Sequence, residues 1–226
     1  MKTIIIYEDQ ELLVVQKPAG IATQTRQLGT LDVESELKNH LAKTTKNPYL
    51  AVIHRLDQPV EGLLVFAKTK EAASFLSAQL QQQLLHKRYQ ALLYSTNPNE
   101  IEQTGIFEDY LSKDEKGNHS KVVDSKAKDA KKCSLRYEIM ERKEQIMLAQ
   151  IDIQTGRHHQ IRVQMSHHKL PIMGDQKYGS EESIKLSVEK QIRQVALCAT
   201  SLEVMHPKTK EKMLFQIEPE FKKRLK

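Results

Sequence analysis

The sequence predicts an α+β fold. Three observations carry that expectation. Short apolar, β-rich runs cluster near both ends of the chain, amphipathic helical patterns stand between them, and no repeat or clear linker divides the 226 residues. A chain of this length buries a sizeable core without staples, so one domain spanning 1–226 is expected, with two halves around a cleft.

The elements follow in order. Residues 3–7 (TIIIY) and 12–16 (LLVVQ) read as strands joined at Glu8-Asp9-Gln10, and Lys17-Pro18-Ala19-Gly20 breaks the second. Thr30 is placed to cap a short helix carrying Val33, Leu37 and Leu41 at four-residue spacing. Asn47-Pro48 marks a turn. Residues 50–53 are extended, HRLDQPVEG (54–62) is a loop, and 63–68 (LLVFAK) is a buried strand. Residues 70–86 form an amphipathic helix with Ala72, Leu76, Leu80 and Leu84 on one stripe, followed by a strand at 88–94. The polar stretch 113–132 holds seven Lys and four acidic residues, with a turn signal at Gly117-Asn118. It reads either as a solvated hairpin or loop, or as a basic arm for phosphates; the interleaved acids favour the first. Strands at 134–139 and 145–153 precede a short helix through 159–167, with Ile161 and Met165 facing inward. Gly174 and Gly179 punctuate a turn-rich stretch, and 195–205 and 212–217 close as strands.

Composition narrows the function. Net charge is +6, which permits a polyanionic partner without requiring one. Trp is absent and aromatics are sparse, so stacking on a base falls to a few Tyr, Phe, His or Arg side chains. Cys133 and Cys198 form no CxxC pair and sit in apolar strand-like runs; they read as buried free thiols, which suits a cytoplasmic location. The N-terminal apolar run is too short for a signal peptide or a membrane span, so no membrane association is expected. No P-loop, GxGxxG or GxSxG occurs, which removes support for NTP, dinucleotide and serine-hydrolase chemistry.

Three segments concentrate reactive side chains. HRLD places His54, Arg55 and Asp57 in a loop between apolar strands. Such an acid is either a surface salt bridge or a carboxylate at the mouth of a cleft, which needs a cation to stay ionised. TGRHHQIR brings Arg157, His158, His159, Gln160 and Arg162 to a helix start. That pattern is either a helix start with solvent-facing arginines or, through the turn at Gly156 and the helix N-terminus, an anion site. Lys87-Arg88-Tyr89 offers an aromatic that is either core or base-stacking. His158, His159, His167 and His168 invite a zinc reading, but HExxH is missing and adjacent histidines rarely converge on one ion; no metal is assigned.

Taken together, the segments VVQKPAGIATQ (14–24), HRLDQPVEGLLVFAKT (54–69), KRYQALL (87–93), TGRHHQIRVQM (155–165) and PIMGDQKYG (171–179) resemble the RluA-type pseudouridine synthase family, which isomerises uridines in large-subunit ribosomal RNA and transfer RNA. The resemblance implies a mixed, mainly antiparallel sheet flanked by helices and crossed by the catalytic cleft. It implies Asp57 as the catalytic aspartate, Tyr89 as the tyrosine on the target uracil, and Arg162 as the cation paired with Asp57. Arg55 matches an arginine that helps hold the flipped-out conformation; His54, Arg157, His159 and Gln160 join it as candidate substrate-binding residues. Structured RNA is the implied partner, an isomerase acting as a monomer the implied enzyme, and no cofactor is called for, since nothing is oxidised or transferred. The chain departs from the family at Val60 and Glu61, where a small residue or Thr and then Ser are usual, and at His158, where Thr is usual. Many relatives carry a small N-terminal RNA-binding domain; with KPAG starting at residue 17, none is expected here. Two rival readings are a non-catalytic RNA-binding or ribosome-assembly protein using the same cleft, and a metal-dependent hydrolase using the His cluster.

Overall fold

The computed structural model describes residues 3–25, 29–114 and 118–224. Along the chain run β1 (Ile4–Glu8), β2 (Leu12–Lys17), α1 (Val33–Leu41), β3 (Ala51–Val52), β4 (Glu61–Ala67), α2 (Lys70–Gln81), β5 (His86–Tyr94), β6 (Thr104–Asp114), β7 (His119–Val123), β8 (Lys131–Lys143), β9 (Ile146–Ile153), α3 (Gln160–His167), α4 (Glu181–Glu189), β10 (Leu197–Met205) and β11 (Lys212–Gln216). They divide into two compact units. The first comprises Met1–Lys87 with Cys198–Pro219, the second Arg88–Leu197 with Glu220–Lys226.

In the first unit the strand order is β1-β2-β4-β10, with β3 also on β4 and β11 on β10. β10 lies parallel to β4, and the other pairs are antiparallel. The sheet is therefore mixed and mainly antiparallel. Leu12, Val14, Leu63, Val65 and Ala67 pack with Ala72 and Leu76 of α2 and with Leu202 and Val204 of β10. Asp32, not Thr30, caps α1, its carboxylate accepting from Ser35 N at 2.7 Å. Thr69 caps α2 through Ala72 N. α2 ends five residues earlier than its apolar stripe suggests. Gln83 turns left-handed (φ 59°), and Leu84 N donates to Gln79 O at 2.8 Å, closing a Schellman motif. Glycine usually marks that stop, so with glutamine there the sequence carries no signal for it.

The second unit is an antiparallel run β5-β9-β8-β6-β7. The polar stretch at 113–132 belongs largely to the β6–β7 hairpin and the approach to β8. Gly117 of the expected turn lies outside the described residues, while Asn118 is left-handed at φ 47°. α3 is buried on every side from Gln160 to Met165, including Ile161 and Met165 as expected. α4 occupies part of the stretch read as turns. Its buried face is Ser183 and Ser187, so hydrophobic spacing is silent there. Ser187 Oγ instead accepts from Gly174 N at 2.8 Å. Both cysteines are buried and free.

Gly62 is the second residue of β4, just after the loop of Asp57. Its φ is +136°, and a Cβ built on it would lie 2.4 Å from Ala199 N. Gly62→Ala is expected to lower unfolding stability by about 2–4 kcal/mol, from backbone strain together with forced displacement of β10. Urea denaturation measures it, and a loss below about 1 kcal/mol would contradict the packing just described.

Candidate active site

Asp57 stands at the tip of a turn whose two flanks are held by backbone hydrogen bonds. Val60 N donates to Asp57 O at 3.0 Å, closing the turn. On one side Leu56 exchanges bonds with Thr23, its carbonyl accepting from Thr23 Oγ1 at 3.1 Å and its N–H donating to the same oxygen at 3.2 Å. On the other side Gln58 O accepts from Gly20 N at 2.8 Å, and Gln58 Nε2 donates to Gly20 O at 3.1 Å. The KPAGIAT segment thus clamps the HRLDQ segment on either side of Asp57, which is half-buried beside the exposed Arg55.

Lys17 completes the clamp. It is 0 % exposed, and its Nζ donates to the carbonyls of Pro18 (2.9 Å), Ile21 (2.7 Å) and Gln58 (3.0 Å). All three ammonium protons are spent on backbone. Burial pushes its pKa down to about 8, against the pull of Asp57 and Glu61. Glu61 is itself buried, and the Cys198 thiol, its register partner on β10, hydrogen-bonds it. The extra carboxylate at this position is thus directed inward, where it offsets Lys17.

The buried lysine leaves a pH signature. An unfolded lysine holds its proton up to its ordinary value of 10.5, whereas folded Lys17 releases it near 8. Between those values unfolding takes up a proton, so the desolvation penalty is relieved as pH rises. Wild type should therefore gain stability relative to Lys17→Met by up to about 1.4 kcal/mol per pH unit across that window. Urea unfolding at pH 7.5, 9 and 10 measures it. A difference independent of pH would show that Lys17 does not titrate there.

His54 is buried, with Nε2 accepting from Val65 N at 3.4 Å and no hydrogen-bond partner for Nδ1 among the described residues. Burial, with the Lys87 charge adding to it, holds its pKa well below the usual imidazole value. A neutral ring in that position wedges the turn against β4.

In the second unit Tyr89 sits on β5 opposite Ile151 and is 5 % exposed. Arg162 is 5 % exposed, not a solvent-facing helix arginine. Its Nε and Nη2 donate to the two oxygens of Asp175 at 2.7 and 2.8 Å, and its guanidinium lies 5.1 Å from the Tyr178 ring centroid. Asp175, 1 % exposed, also accepts from the backbone N–H groups of Lys177 and Tyr178. Tyr178 OH accepts from Ser120 N at 2.9 Å and shares a hydrogen bond of 2.8 Å with His159 Nδ1. Burial, followed by the Arg162 charge, pushes the His159 pKa down to about 3. His158 stacks on His159 at 3.7 Å; its Nε2 donates to Asn118 Oδ1 and its Nδ1 accepts from Ser120 Oγ. The side chain that departs from the family pattern thus ties the β6–β7 hairpin to the entry of α3. Gln160 is internal too, its carbonyl held by Thr155 Oγ1 and Arg157 N and its amide donating to Ser134 O. Arg157 is exposed, with Nε on Lys132 O at 3.3 Å.

Of the residues singled out in the sequence, His54, Arg55 and Asp57 share one turn of the first unit. Arg162, His159 and Gln160 share the interior around α3, with Arg157 at its surface and Tyr89 on β5 of the same unit. Lys17, Thr23, Asp175 and Tyr178 were not given roles, although all four lie in the quoted motifs. A lysine closing an otherwise apolar strand was the available signal for Lys17. The second unit contains a preset guanidinium with two of its nitrogens on a carboxylate, and the first a half-buried carboxylate on a rigid turn. Such groups suit ionic chemistry on a polar substrate.

A family model described as RNA pseudouridylate synthase matches residues 11–167. Among curated proteins the chain is 33 % identical over 224 residues to ribosomal large subunit pseudouridine synthase D of Pseudomonas aeruginosa, covering 94 % of this chain and 67 % of that protein. It is 30 % identical over 217 residues to the Nitrosomonas europaea protein of the same name, covering 94 % and 60 %. The chain thus spans roughly two thirds of the length of these relatives. Among solved structures, human RNA pseudouridylate synthase domain containing 1 superposes with a TM-score of 0.79 at 20 % identity, over 97 % of this chain and 84 % of that one. Human RNA pseudouridylate synthase domain containing 4 gives 0.77 at 21 %, over 98 % and 90 %. These two share the α+β fold.

Proposed function

The chain belongs to the RNA pseudouridylate synthase family, and from that premise we propose that it isomerises specific uridines to pseudouridine in structured RNA, with Asp57 as the catalytic carboxylate. The substrate is ribosomal or transfer RNA, with large-subunit ribosomal RNA favoured by the names of its relatives. The enzyme acts as a cytoplasmic monomer. Among the described residues no helix is long and apolar enough to cross a membrane.

The observation that carries this reading is the rigid turn that presents Asp57, clamped through the backbone of Leu56 and Gln58 by Thr23 and Gly20. In the reaction the bond from ribose C1′ to uracil N1 breaks, the base turns, and C1′ rejoins it at C5. The C5 hydrogen leaves as a proton and N1 gains one, so composition is unchanged. Asp57 serves as nucleophile or base. By the family resemblance Arg162, which Asp175 holds in place, is the catalytic cation, and Tyr89 is the residue that meets the target base. Arg55 and Arg157, both exposed, are the candidate phosphate contacts; His54 supports the Asp57 turn from the interior of the first unit, and His159 and Gln160 support the start of α3 in the second. Extruding a uridine from a stem costs a few kcal/mol, which contacts to phosphates offset, so binding weakens with salt. Mapping pseudouridines in total RNA with and without this gene tests the proposal. At least one ribosomal or transfer RNA uridine should lose its modification on deletion and regain it with the wild-type chain, not with Asp57→Asn. Identical maps would overturn the proposal.

A further inference from the structure

The histidines at the far end of α3 belong to none of this machinery. His167 is the last residue of α3 and His168 its C-cap. Sequence spacing offers them no third ligand. The fold supplies one from β6: among the described residues, Asp109, His167 and His168 each present a ligand atom, and the three atoms lie within 4.8 Å of one another. His168 Nε2 is 3.0 Å from Asp109 Oδ2. Zinc bonds of 2.0–2.2 Å in a tetrahedron put neighbouring ligand atoms about 3.4 Å apart. The His168–Asp109 edge is therefore already near that spacing, and the exposed His167 closes the remainder by a side-chain rotation.

The surroundings fit a metal centre better than a lone ion pair. The Asp109 side chain is only 9 % exposed. Among the described residues no Lys or Arg pairs with it. Its neighbours are neutral: Gln164 Nε2 donates to Oδ2 at 2.7 Å, and the buried Cys133 thiol faces the Asp109 backbone carbonyl. A nearly buried carboxylate whose sole ion-pair partner among the described residues is an imidazole calls for a positive charge. The ligands are also held in orientation. Gln164, itself fully buried, fixes the carboxylate and is held in turn on Phe107 O. The Phe107 ring stacks on His168 at 3.8 Å and 6°. Fixed outer partners of this kind are what orient metal ligands.

We propose that Asp109, His167 and His168 form a site for one divalent transition ion, zinc by its two-nitrogen, one-oxygen donor set, which pins the C-terminal end of α3 to β6. The ion takes the place of the hydrogen shared between His168 Nε2 and Asp109, with the imidazole N–H then on Nδ1. One protein-free coordination position remains for water. The site is structural and separate from the pseudouridine chemistry.

The experiment is calorimetric titration of the full, tag-free, chelator-stripped chain with zinc chloride, together with cobalt(II) absorption as a report of tetrahedral geometry. One equivalent should bind and raise the thermal midpoint. His167→Gln and Asp109→Asn should each weaken binding at least tenfold and abolish the thermal shift, while His158→Thr leaves both unchanged. His167 is exposed, so its substitution leaves the fold intact and keeps the test decisive if Asp109→Asn fails to fold. Absence of binding, or binding by His167→Gln at wild-type affinity, marks an adventitious ion only and overturns the proposal.

Discussion

Asp57→Ala is expected to reduce tritium release from RNA labelled at uracil C5 by roughly 10³-fold or more, the scale of losing a positioned nucleophile or acid–base group. Affinity for the same RNA should change only severalfold. The reasoning is structural. The turn around Asp57 is held at Leu56 by Thr23, at Gln58 by Gly20 and Lys17, and internally by Val60 N on Asp57 O, so the backbone keeps these bonds when the side chain is shortened. Asp57→Asn, which preserves shape and removes charge, should be as inactive as alanine. Arg55→Ala is the contrasting variant. Its exposed guanidinium is assigned to substrate, so KM should rise more than kcat falls. Near-normal tritium release by Asp57→Ala would remove Asp57 from the chemistry altogether.

Asp175→Ala should have the largest effect on stability, about 3–5 kcal/mol, because it leaves the Arg162 guanidinium buried without its carboxylate. Both groups are almost wholly enclosed, and Asp175 also receives the N–H groups of Lys177 and Tyr178. Asp175→Asn should lose less, since one oxygen still accepts, but its amide places N–H against N–H. Replacing both charges, as in Arg162→Met with Asp175→Leu, should recover much of the stability, as apolar substitutes for buried ion pairs often do. Activity should stay lost in all three. That divergence distinguishes a guanidinium needed for chemistry from one needed only for folding. Chemical denaturation and tritium release on the same preparations measure both. A double variant that is stable and active would refute the role given to Arg162.

Much of the fold was legible wherever burial follows hydrophobic spacing. The strands at 12–16 and 145–153 and the stripe of Ala72 and Leu76 were visible because apolar side chains cover their buried faces. Errors came where polar groups do that work. α4 buries serines, α2 stops at a left-handed glutamine instead of a glycine, and β6, with its alternating half-exposed face, gave no clear period. The cap of α1 moved from Thr30 to Asp32 because either residue type satisfies a helix start, and only the path of the chain selects between them.

The same division runs through the candidate site. By itself the sequence determined the family and singled out the Asp57 turn and the α3 entry, because their short motifs are local and their residue types chemically distinctive. It could not show that Lys17 spends its ammonium on three carbonyls, one of them forty-one residues away on Gln58. Nor could it show that Asp175 claims two nitrogens of Arg162, or that Asp109 meets a histidine fifty-nine residues on. Those pairings were decided by tertiary structure alone. A buried charge takes whichever partner the fold brings within about 3 Å, and sequence separation carries no information about that distance.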